Sequence, residues 1–168
     1  MVDPGFADIL RANDEYASTF RLAGLAPEAA KGLGVLTCMD SRIEPLTLLG
    51  LAPGDAKIFR NAGARVTPDS LRSIVLGVNL LEVHRIAVIA HTRCKMTQAT
   101  DDEIRAEIGR LAGHSADDWD FLAVPDQRGT LKEDLQKVRD CPLIPADVEI
   151  GGFIYDVDSG RLDLVATA

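Results

Sequence analysis

No stretch of this 168-residue chain approaches the roughly 20 apolar residues that a membrane-spanning helix needs. Basic residues are short too. Eighteen Lys and Arg face 26 Asp and Glu, giving a formal net charge of −8 and a sequence pI of about 4.8, which excludes a general binder of nucleic acid or anionic membrane. Cysteine is scarce: three residues cannot all pair within one chain, and no C-x-x-C is present, so neither a disulfide framework nor a dithiol redox motif is expected. The opening Met1-Val2-Asp3-Pro4-Gly5 lacks the basic and apolar regions of a secretory leader, so a cytoplasmic location is expected. No repeat, low-complexity tract or linker divides the chain, and a single domain over residues 1–168 is expected. With 46% hydrophobic and 26% charged residues, the chain has the means to bury a sizeable core.

Periodicity outlines that domain. Phe6, Ile9, Leu10, Tyr16, Ala17 and Phe20 recur at helical spacing, predicting an amphipathic helix over residues 6–23 that ends near Gly24. Apolar runs at 33–38, 56–60 and 85–90 read as strands, the third apolar enough to be covered on both faces. A short helix is expected at 45–49. Thr67-Pro68 opens another helix whose stripe is Leu71, Ile74, Val75, Val78 and Leu81. Thr100-x-x-Glu103 and Thr130-x-x-Glu133 both have the capping-box pattern. Segments 150–157 and 161–166 flank Asp158-Ser159-Gly160 as a hairpin. Alternating strands and helices imply a three-layer α/β/α fold with a central, mostly parallel sheet, extended by an antiparallel C-terminal strand. Ligands of such sheets gather outside the C-terminal strand ends.

Two of those ends carry metal-ligand chemistry. Cys38 closes the run 33–38, and His91 closes the run 86–90 with Cys94 three residues on. The wide separation of Cys38 from His91 excludes a compact zinc finger. Two Cys and one His leave the fourth position of a tetrahedral zinc open, as catalytic sites do. Asp40 and Arg42 follow the first candidate ligand. They read as a pair in which Arg42 holds an ionised Asp40, or as an ordinary ion pair tying down a loop. His84 and His114 stand at helix ends, where a surface role suffices. The acidic run Asp101-Asp102-Glu103 suits a helix's first turn without any metal. Cys141, between Asp140 and Pro142, reads as a bystander thiol, and Ser41 as a loop hydrogen-bonder.

Three motifs in order, Cys38-x-Asp40-Ser41-Arg42, Arg60-Asn61-Ala62-Gly63 and His91-Thr92-x-Cys94 followed by Met96, resemble the β-class carbonic anhydrases, above all the short bacterial members. The likeness runs from the N-terminal helix through Gly152-Phe153-Ile154-Tyr155-Asp156. It implies one Zn2+ per chain on Cys38, His91 and Cys94. It implies that zinc acidifies its bound water, which gives up a proton to buffer, and that the resulting hydroxide attacks carbon dioxide to give bicarbonate. Asp40, held by Arg42, would orient that nucleophile; the family is also known with the carboxylate on zinc and the site closed. By the same resemblance Asn61 and Gly63 lie beside the substrate. The N-terminal helix packs across a homodimer or larger assembly, with Tyr16 and Phe20 as contributors to a shared pocket. No nucleic-acid or membrane partner is implied.

The resemblance frays at one point. The family reads Asp-Cys-Gly where this chain has Arg93-Cys94-Lys95, so Lys95 would be strained if that position requires φ > 0. The two cations would favour the thiolate, or attract an anion, or point to solvent. Hydrolysis of carbonyl sulfide or carbon disulfide on the same fold is the competing reaction, and a non-catalytic zinc protein the competing class.

Overall fold

The computed structural model describes residues 4–168. Five strands form one sheet in the order β2-β1-β3-β4-β5, with β1 at Leu33–Cys38, β2 at Ala56–Asn61, β3 at Arg85–His91, β4 at Glu149–Tyr155 and β5 at Leu162–Thr167. The first four run parallel and β5 pairs antiparallel with β4. The expected sheet is therefore present, including its antiparallel last strand.

Five α-helices accompany it: α1 (Ala7–Ser18), α2 (Pro45–Leu48), α3 (Pro68–Leu80), α4 (Asp101–Ala112) and α5 (Gln127–Arg139). One face of the sheet is covered by α3 and α5. Leu36, Val88, Ile150 and Ile154 meet Ile74 of α3 and Leu131, Leu135 and Val138 of α5 in a single cluster. Contact with α5 is close because β4 carries glycine there: a Cβ on Gly152 would lie 2.8 Å from a Leu135 methyl. The opposite face carries a smaller cluster of Val35, Ala87 and Ile89, with Leu49 just after α2 packed against it.

Local chemistry sets the boundaries. Thr67 and Ser70 form a reciprocal capping box at α3, and Thr100 and Glu103 do so at α4. α5 begins earlier than its sequence suggests. Asp126 is its N-cap, accepting from the Gly129 N–H at 3.0 Å, and Thr130 lies inside the helix. α1 is shorter than the predicted 6–23. Ser18 and Thr19 hydroxyls bond back to the carbonyls of Glu15 and Tyr16, offering the chain an exit from the helix. No residue of α1 is buried.

Strand order places the site. The chain leaves β1 for β2 on one side, then returns past it to β3 on the other. Neighbours β1 and β3 thus flank a switch point, and the crevice at their carboxyl ends is where such sheets bind ligands.

Candidate metal centre

Cys38 is the last residue of β1 and His91 the last of β3. Cys94 follows on the loop after β3, and a short 3-10 turn at Lys95–Thr97 comes next. All three side chains are buried, His91 to 1% exposure. Their donor atoms lie within 4.8 Å of one another, a group able to hold a metal ion.

The geometry fits zinc. Two sulfurs each about 2.3 Å from a tetrahedral ion stand about 3.8 Å apart; Cys38 Sγ and Cys94 Sγ are 3.9 Å apart. The His91 Nδ1–H donates to the Thr92 carbonyl at 2.9 Å, leaving Nε2 as a bare lone pair. That Nε2 is buried with no hydrogen-bond partner. An orphaned buried acceptor costs free energy unless a ligand occupies it. A hydrogen bond from Cys94 pulls the Cys38 thiol well down, with help from His91, while the same interaction and burial push Cys94 up. The Gly63 N–H also points at Cys38 Sγ, 3.4 Å away. The pull on Cys38 favours its thiolate, and a bound dication would favour the thiolate form of both residues.

Asp40 stands beside this group without joining it. Arg42 grips its carboxylate with two nitrogens, Nε to Oδ1 at 2.9 Å and Nη2 to Oδ2 at 2.8 Å, and the Arg42 backbone N–H adds a third bond. These bonds hold the carboxyl well below the usual range, so it is ionised throughout the neutral region. Asp40 Oδ2 is 3.8 Å from His91 Nε2. It is close enough to accept a hydrogen bond from a molecule seated at the three donors.

The loop after β2 supports the group from the other side. Gly63 sits at φ +77, a conformation glycine enters without cost, and this turns its N–H toward Cys38. Both amide atoms of Asn61 are taken by the Arg65 backbone at 2.7 and 2.8 Å. Asn61 brackets the loop, with one Nδ2–H and one Oδ1 lone pair left beyond that bracket.

The condition under which Lys95 would be strained is not met: it lies in the 3-10 turn, without a positive φ. The left-handed residue is Arg93, at φ +55. Neither cation reaches the sulfurs. Arg93 pairs with Asp158 in the β4–β5 turn, and Lys95 reaches Gln98. His84 and His114 are exposed, as expected. Asp101 is engaged by the backbone N–H groups of Phe121 and Ala123 and by Arg105.

Gln127 and Asp134 escape the sequence reading, as do the contacts of Arg60, which enters it only as part of a motif. Arg60 donates to the carbonyls of Cys38 and Asp40, fixing the loop between them. Gln127 donates to the carbonyl of His91 at 2.9 Å. Asp134, 1% exposed, accepts from Arg65 and from the Val66 N–H, bracing the Gly63 loop against α5. A signal for Asp134 was available: it shares the apolar face of Leu131, Leu135 and Val138, where a lone carboxylate needs a partner. Gln127 offered none.

A switch-point crevice holding two thiols, a bare imidazole nitrogen and an arginine-clamped carboxylate defines an α/β protein with a group able to hold a metal ion. Comparison narrows the class. Residues 33–162 match the family model described as carbonic anhydrase. The β-carbonic anhydrase 1 of Mycobacterium tuberculosis is 32% identical over 158 residues, covering 94% of this chain and 96% of that protein. The crystal structure of carbonic anhydrase from Streptococcus mutans superposes with a TM-score of 0.91 at 39% identity, covering 99% of this chain and all of that one. A carbon disulfide hydrolase of Acidianus is 34% identical over 153 residues, covering 77% of this chain and 75% of that protein. The chain belongs to the β-class carbonic anhydrases, which are lyases.

Proposed function

We propose that the protein interconverts carbon dioxide and bicarbonate with one Zn2+ per chain, held by Cys38, His91 and Cys94. The observation that carries this reading is Asp40: both of its oxygens are held by Arg42 while Oδ2 still lies 3.8 Å from His91 Nε2. The carboxylate is thus kept beside the metal group as an acceptor instead of closing it as a ligand.

Bound there, zinc would supply an acidified water, a nucleophile available near neutral pH. The protein's own residues do the rest. Asp40 takes a hydrogen bond from whatever occupies the fourth position and so fixes its orientation. Arg42 keeps Asp40 charged and aimed. Thr92, through its carbonyl, holds the imidazole in the tautomer that leaves Nε2 free. Gly63 and Asn61 shape the wall beside Cys38. We further propose that a second copy of the chain completes the substrate pocket. The exposed stripe of Phe6, Ile9, Leu10, Tyr16 and Phe20 on and beside α1 supports this.

Carbon disulfide hydrolases among the relatives support a second reading, hydrolysis of a linear sulfur-containing molecule at the same site. Stopped-flow carbon dioxide hydration by the zinc-loaded protein, beside sulfide release from carbon disulfide, separates the two. Fast hydration with little sulfide release is the expected result. The reverse would move the assignment to the hydrolase, and inactivity toward both would indicate a non-catalytic zinc protein.

A further inference from the structure

Arg93 is a bulky side chain held at φ +55 on the loop that joins His91, at the end of β3, to Cys94. Nothing about arginine favours that conformation; left-handed backbone costs a side-chain-bearing residue free energy that its surroundings must offset. Two contacts do so. The guanidinium pairs with Asp158 in the turn joining β4 and β5. The carbonyl, turned by the left-handed backbone, accepts from Arg42 Nη2 at 3.2 Å. That same Nη2 donates to Asp40 Oδ2. Asp158 is itself seated: its N–H donates to Asp156 Oδ1, and Asp156 also accepts from the Thr92 hydroxyl.

We infer that Arg93 and Asp158 are positioning residues: their ion pair holds the 92–94 loop in the left-handed turn whose carbonyl fixes Arg42, and through Arg42 it keeps Asp40 turned away from the metal group. The inference rests on the proposed function. Arg42 has two anchors, a carboxylate and a carbonyl. Loss of the carbonyl frees one N–H of Nη2, whose other N–H stays on Asp40, and lets the Arg42–Asp40 unit rotate together, and that rotation is what would carry Asp40 toward the metal.

Arg93 and Asp158 are 63% and 52% exposed, so the pair has the modest strength of a surface ion pair. The brace is tested by following the Arg42 Nε–H in proton–nitrogen spectra, identified by its loss in Arg42→Lys, and by kcat for carbon dioxide hydration on the same samples. In Asp158→Asn, exchange of that proton with solvent is expected to quicken about two- to fivefold, with kcat falling by a similar factor. Arg93→Ala keeps the strain and loses the pair, so both effects should be larger, roughly fivefold or more. Arg93→Gly also loses the pair, but takes the left-handed turn freely and should recover most of what alanine loses. Zinc content should stay at one per chain throughout. Unchanged Arg42 exchange in both Asp158→Asn and Arg93→Ala would overturn the inference, as would equal losses in Arg93→Ala and Arg93→Gly. An unsubstituted protein inactive toward carbon dioxide would sink the proposed function alone, and the exchange series would still decide the brace.

Discussion

Gly63 shows how much a single residue contributes to this centre. Its φ of +77 turns one N–H onto Cys38 Sγ, and the space where a Cβ would sit is bounded at ordinary contact distance by Met96 and Val124. The cost of Gly63→Ala is therefore conformational more than steric, about 1–2 kcal/mol. Relief of that strain would move the N–H away from sulfur. We expect Gly63→Ala to lower the melting temperature by several degrees and to weaken zinc binding, measured by competition with a chelator. Equal zinc affinity in the two proteins would show that this hydrogen bond does nothing for the thiolate. At this scale the sequence was informative about the donors and much less so about what holds them. Cys38, His91 and Cys94 announce themselves by residue type at the ends of apolar runs. Arg60, Gln127 and Asp134 act through backbone carbonyls and a buried ion pair, and such contacts depend on how elements meet in space.

Elements are fastened by a few polar contacts that local pattern does not reveal. Asp101, in the first turn of α4, receives the Ala123 N–H at 2.6 Å and the Phe121 N–H at 2.9 Å, tying the following loop to the helix start. The Ala123 hydrogen bond is the main cause of its lowered pKa. A carboxyl whose pKa falls on folding stabilises the protein above its unfolded value, near 4, and that contribution disappears as pH drops through the lower folded value. Asp101→Asn should therefore cost about 1–3 kcal/mol at neutral pH. Urea titrations at pH 7 and pH 3 are the check: the difference between the two proteins should shrink at pH 3, and a constant difference would refute the linkage. Asp134 braces α5 against the Gly63 loop in a drier place. Asp134→Ala strands the 8%-exposed Arg65 and should cost about 3–5 kcal/mol. Adding Arg65→Met should restore much of that loss in chemical denaturation, and failure to restore it would argue that Lys137 and the Val66 N–H matter more than the ion pair. Strand identities were readable because buried parallel strands are continuous apolar runs. The start of α5 was misjudged because Thr130-x-x-Glu133 copies a cap inside a helix that Asp126 had already opened. The end of α1 was misjudged because its stripe continues to Phe20, beyond the residues that unwind it.

At the scale of the whole molecule, one surface stands out. Phe6, Ile9, Leu10, Tyr16 and Phe20 are all more than 40% exposed, and no residue of α1 is buried. An exposed apolar face of this kind supports the proposed docking of a second copy. Sedimentation velocity should find a homodimer or larger assembly, and Leu10→Asp with Phe20→Asp should shift it toward monomer with reduced activity. A monomer that keeps full activity would contradict the shared pocket. No helix among the described residues is long and apolar enough to cross a membrane. The sheet order itself was only partly legible. Alternation of strands and helices implied a parallel sheet, while the placement of β1 between β2 and β3, which creates the crevice, follows from long-range pairing that periodicity does not encode. That crevice unites the two halves of the site, drawn from segments far apart in the chain.

X-ray absorption at the zinc edge of the loaded protein, with zinc counted per chain, shows whether Cys38, His91 and Cys94 hold one zinc while Asp40 stays on Arg42. One zinc is expected with two sulfurs at about 2.3 Å, one imidazole nitrogen at about 2.0–2.1 Å and one further light atom, with stoichiometric zinc lost in Cys94→Ser. Stoichiometric zinc that survives Cys94→Ser, or a shell with fewer than two sulfurs, would contradict that assignment.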